Sequence, residues 1–226
     1  MAHRVVERVG KRFAAGGDRP QAVEEVSFTV ERGDFVSIVG HSGSGKTTLL
    51  SVLGGLSRPS SGRVLVDGAD LYALDGDRLT AFRREQVGFV FQFASLLPVL
   101  TARENVLLPV TLRSRGEPVN GAEERAAELL RLVGLGDRGD AYPSQLSGGQ
   151  QRRVAIARAF VNAPSLVLAD EPTGDLDEQT ESEVMQLFMR VNRERGTTFV
   201  MVTHNSELAG RAGRRMRMED GRIREL

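Results

Sequence analysis

Apolar residues recur along this chain in three spacings, and the spacing changes where the architecture is expected to change. Alternation comes first: Val26, Phe28 and Val30 predict a strand with one buried face, preceded by a short strand at Val5-Val6 and followed by a turn at Arg32-Gly33-Asp34. Short apolar runs form the second class. Phe35–Val39, Val87–Phe91, Ser165–Ala169 and Thr197–Thr203 read as strands, with a further strand at Arg63–Val66 ahead of an Asp67-Gly68 turn. The third spacing is helical. Ala122, Ala126, Leu129, Leu130 and Val133 fall on one face of an amphipathic helix, and Thr101-Ala102-Arg103-Glu104 has the spacing of a capping box. Further helices are expected from Thr48, around Asp77–Glu85, over Gln151–Phe160 and over Glu178–Glu194. Near the end, Met216 and Met218 alternate with Arg215 and Arg217 before Asp220-Gly221, the pattern of a hairpin with its charges outward.

Strands alternating with helices indicate an α/β domain. A length of 226 residues suits a single one over 1–226, and the change of character after Phe93 marks a helical insertion over about 93–145. Before that insertion lies a turn-rich stretch from Ala14 to Pro20. Lysine is nearly absent (Lys11 and Lys46 only), yet arginine restores the balance to a formal net charge of zero. That neutrality argues against a general nucleic-acid or lipid-surface binder. With no cysteine, this chain offers no disulfide, thiolate zinc site or thiol nucleophile. No stretch approaches 18 uninterrupted apolar residues, and no apolar signal core follows Met1-Ala2-His3-Arg4, so a cytoplasmic protein is expected, reaching a membrane only through a partner.

The chemistry concentrates at strand ends. Gly40-His41-Ser42-Gly43-Ser44-Gly45-Lys46-Thr47-Thr48 follows the apolar run Phe35–Val39 and opens a helix, giving G-x-x-x-x-G-K-[ST] in the context of strand, loop and helix. Glycines let backbone N–H groups turn inward, and the helix adds its positive end, so triphosphate oxygens meet preorganised donors. Lys46 is placed to reach the β- and γ-phosphates, and the Thr47 hydroxyl to ligate Mg²⁺. A second run, Leu166–Ala169, ends in Asp170-Glu171, delivering two carboxylates at the sheet edge where α/β folds bind ligands. A third ends in His204. Phe13 stands just before a loop, where it either fills the core or stacks on a purine, and composition favours the core.

Together and in this order, these pieces resemble the nucleotide-binding subunit of ATP-binding cassette (ABC) transporters over nearly the whole chain. The most specific element is Leu146-Ser147-Gly148-Gly149-Gln150, identical to that family's LSGGQ signature. The resemblance implies an ABC-type P-loop ATPase core, a mixed sheet with an antiparallel β-subdomain and an inserted α-helical subdomain. It assigns adenine stacking to Phe13, against the compositional preference. It gives Mg²⁺ to Thr47, Gln92 and Asp170, the general base to Glu171, and γ-phosphate contacts to Lys46 and His204. Ser147, Gly148, Gly149 and Gln150 are implied to meet ATP held by a second copy in a head-to-tail dimer. Asp177, in Gly174-Asp175-Leu176-Asp177, stands at the family's D-loop aspartate. Thr47 stands where serine is commoner, and Asn205 follows His204 where aspartate is common.

Residues from Gly88 through Val106, and Leu168 through Asp177, are most similar to a subgroup of lipoprotein-releasing, macrolide-exporting and cell-division (FtsE-like) ATPases. That likeness implies an integral-membrane permease partner, of the four-helix FtsX-like type, and a place on the inner face of the cell membrane. Two roles follow from it: energising export or lipoprotein extraction, or transmitting ATP-driven motion through a membrane partner without transport. Phe93, Leu96 and Leu97 either contribute to a groove for the permease or form a buried connection.

Overall fold

The structure is a computed structural model that describes residues 3–13, 21–113, 119–174 and 176–226. The turn-rich stretch 14–20, Asp175 and the first two residues lie outside these. Among the described residues the chain forms two sheets. The smaller is antiparallel, in the order β2 (Gln21–Val30), β1 (Arg4–Arg12), β4 (Ser61–Val66), β5 (Ala69–Asp70). The larger is mixed. Its order is β10 (Arg222–Glu225), β9 (Arg214–Glu219), β3 (Phe35–Val39), β8 (Thr198–Thr203), β7 (Leu166–Asp170), β6 (Val87–Val90), and only β10 runs antiparallel to its neighbour.

The apolar runs look continuous because both faces of the parallel sheet are covered. Within each run the side chains still divide by parity. Val36, Ile38, Leu166, Leu168, Val200 and Val202 enter a core shared with the small sheet, α1 (Lys46–Leu53) and α2 (Gly76–Gln86). Their neighbours Val167, Ala169, Phe199 and Met201 enter a second core with α3 (Ala102–Arg113), α4 (Ala122–Leu132), α5 (Gly148–Phe160) and α6 (Glu178–Arg195). A short helix, α7 (Ser206–Ala209), follows β8.

Most sequence expectations hold, with shifted ends. The expected amphipathic face is buried at Ala122, Ala126, Leu129, Leu130 and Val133. The capping box forms: Glu104 N–H donates to Thr101 Oγ1 at 3.2 Å, and Thr101 N–H donates to Glu104 Oε2 at 2.7 Å. The C-terminal hairpin buries Met216 and Met218. Several bounds differ, three of them for reasons the structure shows or where the site begins. β1 extends far beyond Val5-Val6 because it pairs with both β2 and β4. β6 stops at Val90, before Phe91 and Gln92. α5 begins at Gly148 rather than Gln151, because Ser147 and Gln150 cap it reciprocally.

The connection between β6 and α3 is anchored by a residue that hydropathy does not single out. Asn105, wholly buried, accepts from Leu97 N–H at 2.8 Å and donates to the carbonyls of Leu97, Leu100 and Thr101 at 3.1, 3.0 and 2.9 Å. Arg158 of α5 holds the same connection from the other side, donating to Ala94 O and Ser95 O at 2.8 and 2.9 Å. Removing the Asn105 amide strands several part-buried backbone groups. Asn105→Ala should therefore cost about 1–3 kcal/mol in urea unfolding; an unchanged midpoint would show that the connection is held without it.

Candidate functional site

Parallel register brings the ends of β3, β7 and β8 to one edge: Val39 lies opposite Thr203, and Asp170 opposite Val202. Beyond that edge opens a cleft of about 760 Å³, lined by Ser42, Gly43, Gly45, Lys46, Thr47, Thr48, Gln92, Asp170, Glu171 and His204, together with Ala22, Thr173, Thr203 and Asn205. This is the size of site that takes a small-molecule ligand.

The loop from Gly40 to Gly45 is shaped by close backbone approach. Gly45 has φ of 102°, and a Cβ there would collide with the Ala22 carbonyl. At Gly40 a Cβ would strike the Met218 carbonyl. The loop is braced by the C-terminal hairpin, where Gly221 N–H donates to Ser44 O at 3.1 Å while Glu24 N–H donates to Gly221 O at 2.8 Å. Lys46, almost fully buried, donates to the carbonyls of Gly40 and His41 at 2.7 and 2.9 Å. The His41 ring is exposed and lies 2.8 Å from Ser42 O. Burial holds the Lys46 ammonium below the ordinary lysine value, with the carboxylates of Glu171 and Asp170 working the other way.

Helix termini distinguish the anion-binding end. The N-termini of α2, α5, α6 and α7 are satisfied by side chains of Asp75, Ser147, Asp177 and Asn205. α1 begins after Gly45 with no side-chain cap and no acidic residue in its first turn, whereas α4, also uncapped after Gly121, carries Glu123 and Glu124 there. The N-terminal N–H donors and positive dipole end of α1 are thus left for an anionic ligand, at the point where Gly45 to Thr48 line the cleft.

Facing this end are the two acids. Burial raises the Asp170 carboxyl above the usual carboxylate range, and the hydrogen bond from the Thr47 hydroxyl opposes that rise. These hydroxyl, carboxylate and Gln92 amide oxygens are hard donors of the kind Mg²⁺ prefers, and few in number, as suits an ion that keeps several waters. Glu171 takes the left-handed backbone conformation at φ 43°, with its N–H bonded to Val202 O at 3.0 Å. Its Oε2 accepts from Thr203 Oγ1 at 3.0 Å and faces His204 Nδ1 at 3.1 Å.

Other expected residues stand apart. Phe13 is 45% exposed, which removes the core reading, and it lies outside the cleft lining with its ring 5.3 Å from Lys11 Nζ. Ser147, Gly148, Gly149 and Gln150 also lie outside the cleft, at the start of α5. A Cβ on Gly149 would touch Leu176 and Thr180. Asp177 caps α6, accepting from Thr180 N–H at 2.9 Å and from the Thr180 hydroxyl at 2.7 Å. These bonds lower its carboxyl from the usual value. Arg152 of α5 links two loops of the cleft, donating to Phe91 O and, at 3.3 Å, to Gly174 O. Sequence reasoning missed Ala22, Glu181 and Thr203 among the lining residues. Nothing in the sequence signals Ala22, which the small sheet carries in; Thr203 was available as the last residue of an apolar run, directly before His204.

Comparison with known proteins gives a consistent picture. The ABC transporter family profile matches residues 23–174. The lipoprotein-releasing system ATP-binding protein LolD of Bordetella pertussis is 49% identical over 217 residues, covering 96% of this chain and 93% of that protein. The macrolide export ATP-binding/permease protein MacB of Syntrophobacter fumaroxidans is 46% identical over 218 residues, but this chain spans only 30% of its length. Among solved structures, a dimeric ATP-binding cassette in a post-hydrolysis state bound to ADP and Pi superposes with a TM-score of 0.92 at 42% identity, covering 99% of this chain and 97% of that one.

The raised Asp170 carboxyl has a consequence for stability. A carboxyl raised on folding keeps a proton that the unfolded chain has already released, so its contribution falls as pH rises through the carboxylate range and is fully unfavourable at neutral pH. Asp170→Asn should raise the melting temperature of the nucleotide-free chain at pH 7, and the gain should shrink as pH falls through that range. Thermal unfolding at several pH values checks this. A variant less stable than the parent at pH 7 would mean that the Thr47 hydrogen bond outweighs burial.

Proposed function

The chain belongs to the ABC transporter family and is an ATP-hydrolysing subunit of that family; we propose that it energises a membrane permease engaged in lipoprotein release or a related export. The observation that carries the site reading is the cleft itself, lined on one side by the uncapped start of α1 and also by Asp170, Glu171 and His204. The relatives support the transport reading: LolD by name serves lipoprotein release, and MacB macrolide export.

In this reading the loop N–H groups from Gly40 to Thr48 and the α1 terminus bind the triphosphate, and Phe13 stacks on adenine. Thr47, Gln92 and Asp170 would hold Mg²⁺, which would supply neutralisation of the phosphate charge. Glu171 orients water and takes its proton as the water oxygen bonds to the γ-phosphorus; the bond from that phosphorus to the β–γ bridging oxygen breaks, leaving ADP and phosphate. Lys46, freed from its loop carbonyls, and His204 stabilise the charge on the transferring group.

The signature lies outside the chain's own cleft, with Ser147 and Gly148 exposed and Gly149 and Gln150 half-buried, which supports its use on a second copy. Ser147 and Gly149 then reach the γ-phosphate on the partner's loop, with Asp177 near the same seam, in a head-to-tail dimer with two equivalent sites. The neighbouring cassette bound to ADP and Pi is itself dimeric. Among the described residues no helix is long and apolar enough to cross a membrane. We take residues of about 93–145 as the helical subdomain, and the exposed Phe91, Phe93, Leu97 and Val99 at its entrance as the contact for the permease, which holds the subunit to the inner membrane face.

Glu171→Gln is the direct test. It should retain Mg-ATP binding, lose turnover by at least roughly a hundredfold, and elute as a dimer in saturating Mg-ATP. Near-normal turnover would overturn the role of Glu171, and a monomer under those conditions would overturn the two-copy site.

A further inference from the structure

Thr203 is buried, yet it lines the cleft at the end of β8, opposite the last residue of β3. Its hydroxyl is committed in both directions. Asn205 N–H donates to Thr203 Oγ1 at 3.0 Å, and the hydroxyl donates to Glu171 Oε2 at 3.0 Å. A hydroxyl has a single proton to give. With a lone pair engaged by the Asn205 N–H, that proton is directed at the carboxylate. Asn205 is fixed in turn, since its Oδ1 accepts from Glu207 N–H at 2.9 Å and Leu208 N–H at 3.3 Å at the start of α7. The chain of bonds therefore runs from α7 through Asn205 and Thr203 to Glu171.

At the receiving end, Glu171 is constrained from the same strand twice. Its backbone sits at φ 43°, a left-handed conformation that is strained for a non-glycine residue. The bond from its N–H to Val202 O, one residue before Thr203, holds it there. Backbone and side chain are thus both tied to the last two residues of β8. The other group on Oε2 is the exposed His204, at 3.1 Å, which the proposed chemistry needs at the γ-phosphate. Once His204 turns to the nucleotide, Thr203 is the donor that remains among the described residues.

We propose that Thr203 is a positioning residue for hydrolysis: its hydroxyl, oriented by Asn205, holds Glu171 Oε2 so that Oε1 faces the attacking water. This rests on the reading of Glu171 as general base. It also explains why the small polar group directly before His204 sits at the end of an otherwise apolar run, where valine would pack as well.

The test compares Thr203→Val and Thr203→Ser in the full chain, with Glu171→Gln alongside. Thr203→Val should lower kcat roughly ten- to a hundredfold while leaving the KM for ATP and equilibrium nucleotide binding within about twofold. Thr203→Ser should return kcat to within about threefold of the parent. A merely structural role would move KM or binding along with kcat. If the valine variant does not fold, Thr203→Ala carries the same readout. The proposal is overturned if the valine or alanine variant keeps parental kcat, if binding falls in step with kcat, or if serine fails to rescue. Turnover by Glu171→Gln would remove the general-base reading itself, whereas an inactive Glu171→Gln beside a fully active Thr203→Val would remove only the role of Thr203.

Discussion

Everything in this molecule depends on the parallel register of β3, β8 and β7. Phe35 opposite Phe199 and Leu166 opposite Thr198 set two ladders whose ends coincide. Because they coincide, the phosphate loop, the acidic pair and His204 emerge at one edge within reach of one ligand. A slip of one residue would send alternate side chains to the wrong core and displace the site as well. The division of side chains between two cores prevents that slip. Leu168 and Val200 belong to the small-sheet side, and Val167 and Phe199 to the helical side. Stability and site geometry therefore rest on the same pattern.

The site holds groups that a fold selected for stability alone would avoid. Lys46 is buried and lowered from its ordinary value, Asp170 is half-buried and raised, and Glu171 adopts a left-handed backbone. Each is tied down by neighbours: Lys46 by two loop carbonyls, Asp170 by Thr47, Glu171 by Val202 and Thr203. The C-terminal hairpin adds a brace from the far end of the chain, through Gly221 to Ser44. Such preorganisation costs stability in the ligand-free state and spares the reaction the work of assembling its polar groups.

Much of this was legible in the sequence, for physical reasons that differ by element. Runs such as Phe35–Val39 announced buried strands because a two-faced sheet needs them, and the amphipathic face of α4 announced its period directly. The loop, the acids and His204 were legible because each follows such a run. What escaped was set by long-range contact. β1 is extended by its partners on both sides rather than by its own residues, and Ala22 enters the cleft only because the small sheet folds over it. Asn105 was hidden for a third reason, acting through hydrogen bonds to groups that no hydropathy pattern marks, whereas the position of Thr203 before His204 was visible and only its bond to Glu171 was not. Phe13 was misread from composition, because an apolar ring at a loop boundary was weighed as core and stands exposed instead.

The central claim is that each chain carries two halves of different sites, a phosphate loop with its acids at one place and a signature at another. The most direct test is the ATPase rate of the isolated chain at saturating Mg-ATP across a wide dilution series. A site completed by a second copy predicts that the rate rises with the square of protein concentration when dilute, becoming proportional once dimers dominate. Strict proportionality down to the lowest measurable concentration, from a chain shown to be monomeric there, would contradict the account.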